Sequence, residues 1–375
     1  MTPVPIKLNN LQFAKGEAQI LKGVDLTLSP EEFLTVLGPE GCGKTALFHV
    51  LAGFYQPSFG RVLLHGRDVT ELSSGHRELS AVFSDMPLFP HRTVLANVAF
   101  GLRMRGIQRR ERRSRALHML ALADLENAAK MHPRRLTNYQ YKMAVLARAL
   151  APRSPLLLLD DPFKALAEPD RRLALAFLKA LQKQWHFAVL YFTRSREEAM
   201  AVSHRIALME NGRIEQTGTP EELYHRPASV AAAKSMGQIN LLPGIVTARR
   251  QDGLVALDMD GLTLTAHTTG APPSIGEDVS LCLRPEYIQV FDSPRPEGFL
   301  SGVLHETRLI GPRPYTVVLL PTGRELLCDD AKAFSIKPGS RVFLSWDPAK
   351  AALLPAEEKI GFHAAASHAE KGVAL

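Results

Sequence analysis

Short apolar runs alternate with longer amphipathic ones through the first part of the chain. "FLTVL" (33–37) leads into "TALFHVLAG" (45–53), "PLLLLD" (155–160) leads into "RRLALAFLKALQKQ" (171–184), and "FAVLYF" (187–192) follows. Compact apolar runs of this kind read as buried strands, and the segments between them read as helices. The pattern predicts an α/β domain built on a largely parallel sheet. Near residue 240 it changes. After "INLLPG" come short alternating stretches with Gly, Pro and Asp turns: "GLVALDMDGLTLTAH", "DVSLCLRPEYIQVF", "TVVLLPTGRELLC" and "SRVFLSWD". These predict a small all-β, barrel-like domain. Two halves, about 241–292 and 298–353, have similar patterns and suggest a weak internal duplication. The "HRPASVAAAK" segment reads as a helix closing the first domain. The polar, small-residue end of the chain, 356–375, reads as a loose tail.

Length and composition are those of a soluble two-domain protein: 375 residues, 46% hydrophobic and 22% charged. The start, "MTPVPIKLNN", has no basic stretch followed by an apolar run, so no signal peptide is expected. "LLLL" (156–159) and "FAVLYF" are too short to span a bilayer, so any membrane role is expected to be peripheral. Cys42, Cys282 and Cys328 are widely spaced and odd in number, which gives no zinc or disulfide framework. The net charge is +7, with a basic cluster at "RMRGIQRRERRSR" (103–115). That cluster reads first as a solvated helix face, although it could attract anionic head groups. No aromatic residues interleave with its arginines, so no nucleic-acid partner is expected.

The strongest chemical signal is "FLTVLGPEGCGKTALFHVL". A β-run ends at Leu37, then Gly38-Pro39-Glu40-Gly41-Cys42-Gly43-Lys44-Thr45 matches G-x-x-x-x-G-K-[ST], and a helix begins. Glycines let such a loop curl its N–H groups toward phosphate oxygens. The following helix, with Ala46 in its first turn, adds the positive end of its dipole. Lys44 supplies charge to the outer phosphates and Thr45 a hydroxyl to Mg²⁺. Such a loop needs an apolar strand ending in an acid to help hold Mg²⁺, and "PLLLLDD" offers Asp160. Cys42 lies inside the loop, as a small residue the turn tolerates or as a thiol that bound nucleotide would shield. Asp124 and His118 have no partner spacing and read as surface residues.

With these motifs in place the chain resembles the ATP-binding subunits of ABC importers, in the branch serving polyamine, ferric iron, phosphonate or sugar uptake. "VFSDMPLFPHRTVLANVAFGLRMRG" and "RIALMENGRIEQTGTPEELYHRPAS" resemble segments of the family's nucleotide-binding domain. "INLLPG" and "VSLCLRPEYIQV" resemble its C-terminal TOBE β-domain. The resemblance covers about residues 4–355. It implies a P-loop, RecA-like domain at 1–238 with an inserted helical subdomain at about 88–153, and an OB-like TOBE domain at 239–355. It also implies ATP and Mg²⁺ as ligands, transmembrane permease subunits as partners, and a location on the cytoplasmic face of the cell membrane. The assembly implied is a dimer with a copy of itself or with a second ATP-binding subunit, each ATP lying between the P-loop of one subunit and an L-S-G-G-Q signature of the other.

Against that family pattern the chain departs repeatedly. The signature reads Leu136-Thr137-Asn138-Tyr139-Gln140, keeping a hydroxyl but losing both glycines. Tyr139 adds a ring where the family has no side chain. The aromatic that stacks on the base falls on Lys15, with Phe13 as an imperfect substitute. The glutamine after "VF" falls on Ser84, the catalytic glutamate on Asp161, and the S-A-L-D loop on Lys164-Ala165-Leu166-Ala167. The switch histidine falls on Arg194, which can hold a phosphate but cannot cycle a proton. Phosphoryl transfer is mostly positioning and charge stabilisation, so these changes predict slow turnover or none, with Asp161 the candidate base. Two roles follow: an ATP-binding subunit coupled to solute uptake, or a non-hydrolysing regulatory or scaffold subunit that binds ATP beside a competent paralogue.

Overall fold

The computed structural model describes residues 5–250, 253–268, 272–294, 300–310 and 313–356. The expected loose tail lies outside these except for Ala356. The chain divides into two compact units. The first is Met1–Ala228 with Ser235–Gly237, and the second is Ser229–Lys234 with Gln238–Leu375.

In the first unit, β1 (Ile6–Lys15), β2 (Ala18–Leu28) and β3 (Phe33–Leu37) lead to α1 (Lys44–Ala52). Then come β4 (Phe59–Leu64), β5 (Arg67–Asp68) and β6 (Ser80–Phe83). Three helices follow, α2 (Val94–Met104), α3 (Arg109–Leu122) and α4 (Asn138–Leu150). The remainder is β7 (Leu156–Asp160), α5 (Glu168–Trp185), β8 (Ala188–Thr193), α6 (Arg196–Val202), β9 (Arg205–Glu210), β10 (Arg213–Gly218) and α7 (Pro220–His225). An α/β fold results. One sheet has the order β10-β9-β3-β8-β7-β6, parallel except for the β9–β10 pair, and a smaller antiparallel sheet has the order β2-β1-β4-β5.

The three apolar runs singled out in the sequence are the central strands β3, β7 and β8, and every residue in them is buried. That is why they read as continuous apolar stretches: a central parallel strand is covered on both faces. One face is closed by a cluster of Leu47, Phe48, Leu51 and residues of the smaller sheet. The other is closed by α2, α4 and α5, through residues such as Val98, Leu146 and Leu178. The basic cluster lies on the end of α2 and the start of α3, mostly exposed. Among the described residues, no helix is long and apolar enough to cross a membrane.

Helix α1 carries the phosphate loop at its start and is anchored at its end by Arg77. The buried guanidinium donates to the carbonyls of Val50 (2.6 Å), Leu51 (2.7 Å), Leu72 (2.9 Å) and Thr70 (3.1 Å). A cation suits the negative end of a helix dipole; of the two α1 carbonyls it meets, that of Val50 also accepts from the Gly53 N–H at 3.2 Å.

In the second unit, most of α8 (Val230–Met236), through Lys234, precedes the β strands, and its Val230 and Ala233 pack with Cys282 and Leu354. The strands are β11 (Asn240–Arg249), β12 (Leu254–Met259), β13 (Leu262–His267), β14 (Asp278–Leu283) and β15 (Gln289–Phe291). Then follow β16 (Leu300–Ile310), β17 (Arg313–Leu319), β18 (Glu325–Cys328), β19 (Arg341–Ser345) and β20 (Ala352–Pro355). They form two antiparallel sheets, β13-β12-β11-β14-β20 and β15-β19-β16-β17-β18. The two similar halves of the sequence therefore exchange a strand. β15, from the first half, pairs with β19, and β20, at the end of the second, pairs with β14. One apolar core runs through both sheets.

Replacing Arg77 by Met removes a donor from four carbonyls, two of them in a buried site. The expected loss is about 2–4 kcal/mol in chemical denaturation. A loss under about 1 kcal/mol would show that the guanidinium does not anchor α1.

Candidate functional site

Parallel register brings the chemistry to one edge. Leu37 pairs with Thr193, and Asp160 pairs with both Phe192 and Phe83. The ends of β3, β8, β7 and β6 are therefore level, and the phosphate loop, Asp160, Asp161, Arg194 and Ser84 all leave the sheet there.

The loop is closely built. A Cβ on Gly38 would meet the Met209 carbonyl oxygen at 2.2 Å. Gly43, at φ 110°, holds the N-cap of α1 in a conformation that side chains rarely adopt. No side chain caps α1, so its first-turn N–H groups, including those of Thr45 and Ala46, are left for a ligand. The Lys44 ammonium is folded over the loop and donates to the carbonyls of Gly38 and Pro39, each at 2.7 Å. It lies 3.5 Å from Cys42 Sγ. Cys42 itself is buried against the core, and packing shields its thiol.

The Thr45 hydroxyl lies near the Asp160 carboxylate. Burial raises the Asp160 carboxyl above its ordinary value. The nearby Thr45 hydroxyl and the Lys44 charge oppose that rise, and the neighbouring Asp161 carboxylate adds to it. Thr45 and Asp160 suit Mg²⁺, which takes one or two protein oxygens and completes its shell from phosphates and water. The tight glycine cradle, the buried ammonium and this hydroxyl–carboxylate pair fit a magnesium-bound phosphate chain.

Asp161 follows in the left-handed region, at φ 46°, with its N–H donating to the Phe192 carbonyl at 2.9 Å. Its side chain is 22% exposed. Thr193 Oγ1 lies 3.4 Å from Asp161 and 2.9 Å from Glu198. Glu198 is buried, accepts from the Tyr191 hydroxyl and sits 3.2 Å from Arg171. Burial raises its carboxyl despite those partners. Arg194 faces Asp161 (Nε to Oδ2, 3.8 Å) and donates from Nη1 to Glu40 Oε2 at 2.6 Å. Sequence reasoning did not find the Glu40–Arg194 pair or the Glu198 network, because 154 positions separate Glu40 from Arg194 and Glu40 fills a variable place in the motif.

The 136–140 segment forms a capped helix start. Thr137 is the N-cap of α4: its hydroxyl accepts from the Gln140 N–H (3.2 Å), and the Gln140 side chain accepts from the Thr137 N–H (3.1 Å). Neither Asn138 nor Tyr139 takes a left-handed backbone. The Asn138 side chain donates to the carbonyl of Ala165, in the Lys164–Ala167 segment, at 2.7 Å. The Tyr139 ring is half-buried against the helical core, near Asp124 and Asp170, and desolvation raises its hydroxyl. Leu136 packs on the same core. Just beyond, Lys142 donates to the Ser84 carbonyl (2.5 Å), and the Tyr141 hydroxyl accepts from the Leu88 N–H (2.9 Å). Helix α4 therefore holds the segment that follows β6.

At the end of β1, Lys15 is exposed. Phe13 is buried and stacked flat on Tyr55, with ring centroids 5.2 Å apart and planes 3° apart. It belongs to the core rather than to a base-stacking platform.

A phosphate loop, a buried acid at the end of the next-but-one strand, and a capped helix start beside them fit a P-loop nucleotide-binding cassette. Comparison with known proteins agrees. Residues 21–164 match the ABC transporter domain and residues 281–354 the TOBE domain. The chain is 36% identical to the spermidine/putrescine import ATP-binding protein PotA of Marinobacter nauticus over 357 residues, covering 94% of this chain and 95% of that one. It is 37% identical to the protein of the same name from Oleidesulfovibrio alaskensis, over 87% of this chain and 91% of the other. Among solved structures it is similar to the dimeric bacterial ABC transporter cassette MJ0796, with TM-score 0.53 and 29% identity, over 57% of this chain and 98% of that one. The chain belongs to the ABC transporter family, as an importer ATP-binding subunit that couples ATP to solute uptake and carries a C-terminal TOBE domain.

Because folding raises the Asp160 carboxyl, its charged form costs stability, and the cost grows as pH rises through the carboxylate range. In metal-free buffer, Asp160→Asn should raise the melting temperature near pH 7 by about 2–4 °C, with the gain shrinking as pH falls through that range. A gain independent of pH would contradict this assignment.

Proposed function

We propose that the chain binds Mg-ATP on Gly38, Pro39, Glu40, Gly41, Cys42, Gly43, Lys44, Thr45 and Ala46, with Thr45 and Asp160 on the metal. It works as a dimer on the cytoplasmic face of the cell membrane, as a peripheral subunit bound to a transmembrane permease. Nucleotide-driven closure of the dimer moves that permease, and closure requires ATP to favour the closed state. We assign the cargo to the polyamine class of small organic cations, on the near full-length similarity to spermidine/putrescine import proteins. The observation that carries the reading is the gathering of Lys44, Thr45 and Asp160 beside an uncapped helix start.

A second reading, in which the chain binds ATP without turning it over and relies on a competent paralogue, draws support from two observations. Asp161 faces Arg194, which compensates its charge, and Gln140 is committed to capping Thr137. A base held away from its water by even a small displacement can lose about a hundredfold in rate.

Phosphate release from Mg-ATP, measured for the purified chain and for Asp161→Asn, separates the two. Slow release that disappears in the variant assigns Asp161 as the base. No release from either, with ATP binding that requires Lys44, assigns turnover to a partner subunit. Lys44→Ala should abolish ATP binding and, in cells, uptake of labelled spermidine; unchanged uptake would sink the transport role.

A further inference from the structure

We propose that Glu40 is an internal competitor for phosphate: it holds Arg194 across the mouth of the loop, and nucleotide enters by taking the guanidinium from it. The inference rests on the nucleotide-binding reading of the loop, and its basis is geometric. Glu40 is the second variable residue of the phosphate loop, next to Pro39, whose carbonyl accepts from Lys44. Its Oε2 takes the Arg194 Nη1 proton at 2.6 Å, while the Nε of the same guanidinium faces Asp161 at 3.8 Å. One cation therefore bridges a carboxylate on the loop and a carboxylate beyond the end of β7.

That arrangement places a negative charge on the rim of a site built for a more negative ligand. Alone, Glu40 would repel the phosphates. Paired with Arg194 it is neutralised, but the pairing also occupies the fork of donors that suits a phosphate best. A phosphate oxygen offers Arg194 the same charge-assisted bond with more charge behind it, so the exchange favours the ligand. The pair is open to water, Glu40 being 84% and Arg194 40% exposed, so it is weak enough to break on binding. Asp161 retains its place beside the guanidinium through the exchange, which keeps Arg194 at the mouth rather than free in solution.

A double-mutant cycle on the full chain tests this, with Mg-ATP affinity measured by titration. Glu40→Gln should tighten ATP binding by about three- to tenfold when Arg194 is present, and by less than about twofold in the Arg194→Gln background. An equal gain in both backgrounds would mean that Glu40 acts only as a distant charge, and would overturn the latch, as would no gain at all. A second measurement needs no nucleotide. Modification of Arg194 by phenylglyoxal, followed by peptide mass, should be several times faster in Glu40→Gln, and an unchanged rate would also overturn the proposal. If no variant binds ATP, the nucleotide reading fails, and the arginine modification rate decides the latch by itself. Both side chains are exposed, so the variants should keep the parent's melting temperature.

Discussion

The level ends of the parallel strands β3, β8, β7 and β6 are the constraint on which the rest depends. Backbone pairing sets Leu37 beside Thr193 and Asp160 beside both Phe192 and Phe83. A shift of one pairing step would carry Asp160 away from Thr45 and separate the hydroxyl from its acid. The strands hold that register because they are buried on both faces, so a slip would expose apolar side chains that the core covers. Gly38 adds a local lock: its backbone approaches the Met209 carbonyl so closely that no side chain fits.

Charge on that edge is balanced rather than accumulated. Lys44, Arg194 and Lys164 stand among Glu40, Asp160 and Asp161. The Lys44 ammonium rests on loop carbonyls, and Arg194 is shared by two carboxylates. Behind them Glu198 is buried with Tyr191, Thr193 and Arg171, and Thr193 links this group toward Asp161. Buried polar groups of this kind hold one geometry because leaving any of them unpaired is costly. The residues at 136–140 also act through local structure. Thr137 and Gln140 cap α4, while Tyr139 turns its ring onto the helical core. The site is therefore an ordered one.

Much of the fold was legible. The apolar runs that became β3, β7 and β8 stood out because complete burial removes any alternation, and the change of pattern near residue 240 marked the passage to antiparallel strands. The exchange of β15 and β20 between the two β-sheets was not legible, since strand partners many residues apart leave no trace in local spacing. Within the site, the phosphate loop was readable because its chemistry is written in eight consecutive residues. Phe13 was misjudged as a stand-in for the base-stacking aromatic, because alternation along a strand does not say which neighbour the ring will meet, and Tyr55 meets it.

The amino-acid sequence by itself determined the kinds of elements and the phosphate loop, because each is a matter of local composition and spacing. Tertiary structure alone decided which charges pair. Glu40 and Arg194 are 154 residues apart, and only the parallel register of β3 with β8 brings them to hydrogen-bonding distance. Coulombic partners are chosen by distance in space, and a sequence records distance along the chain.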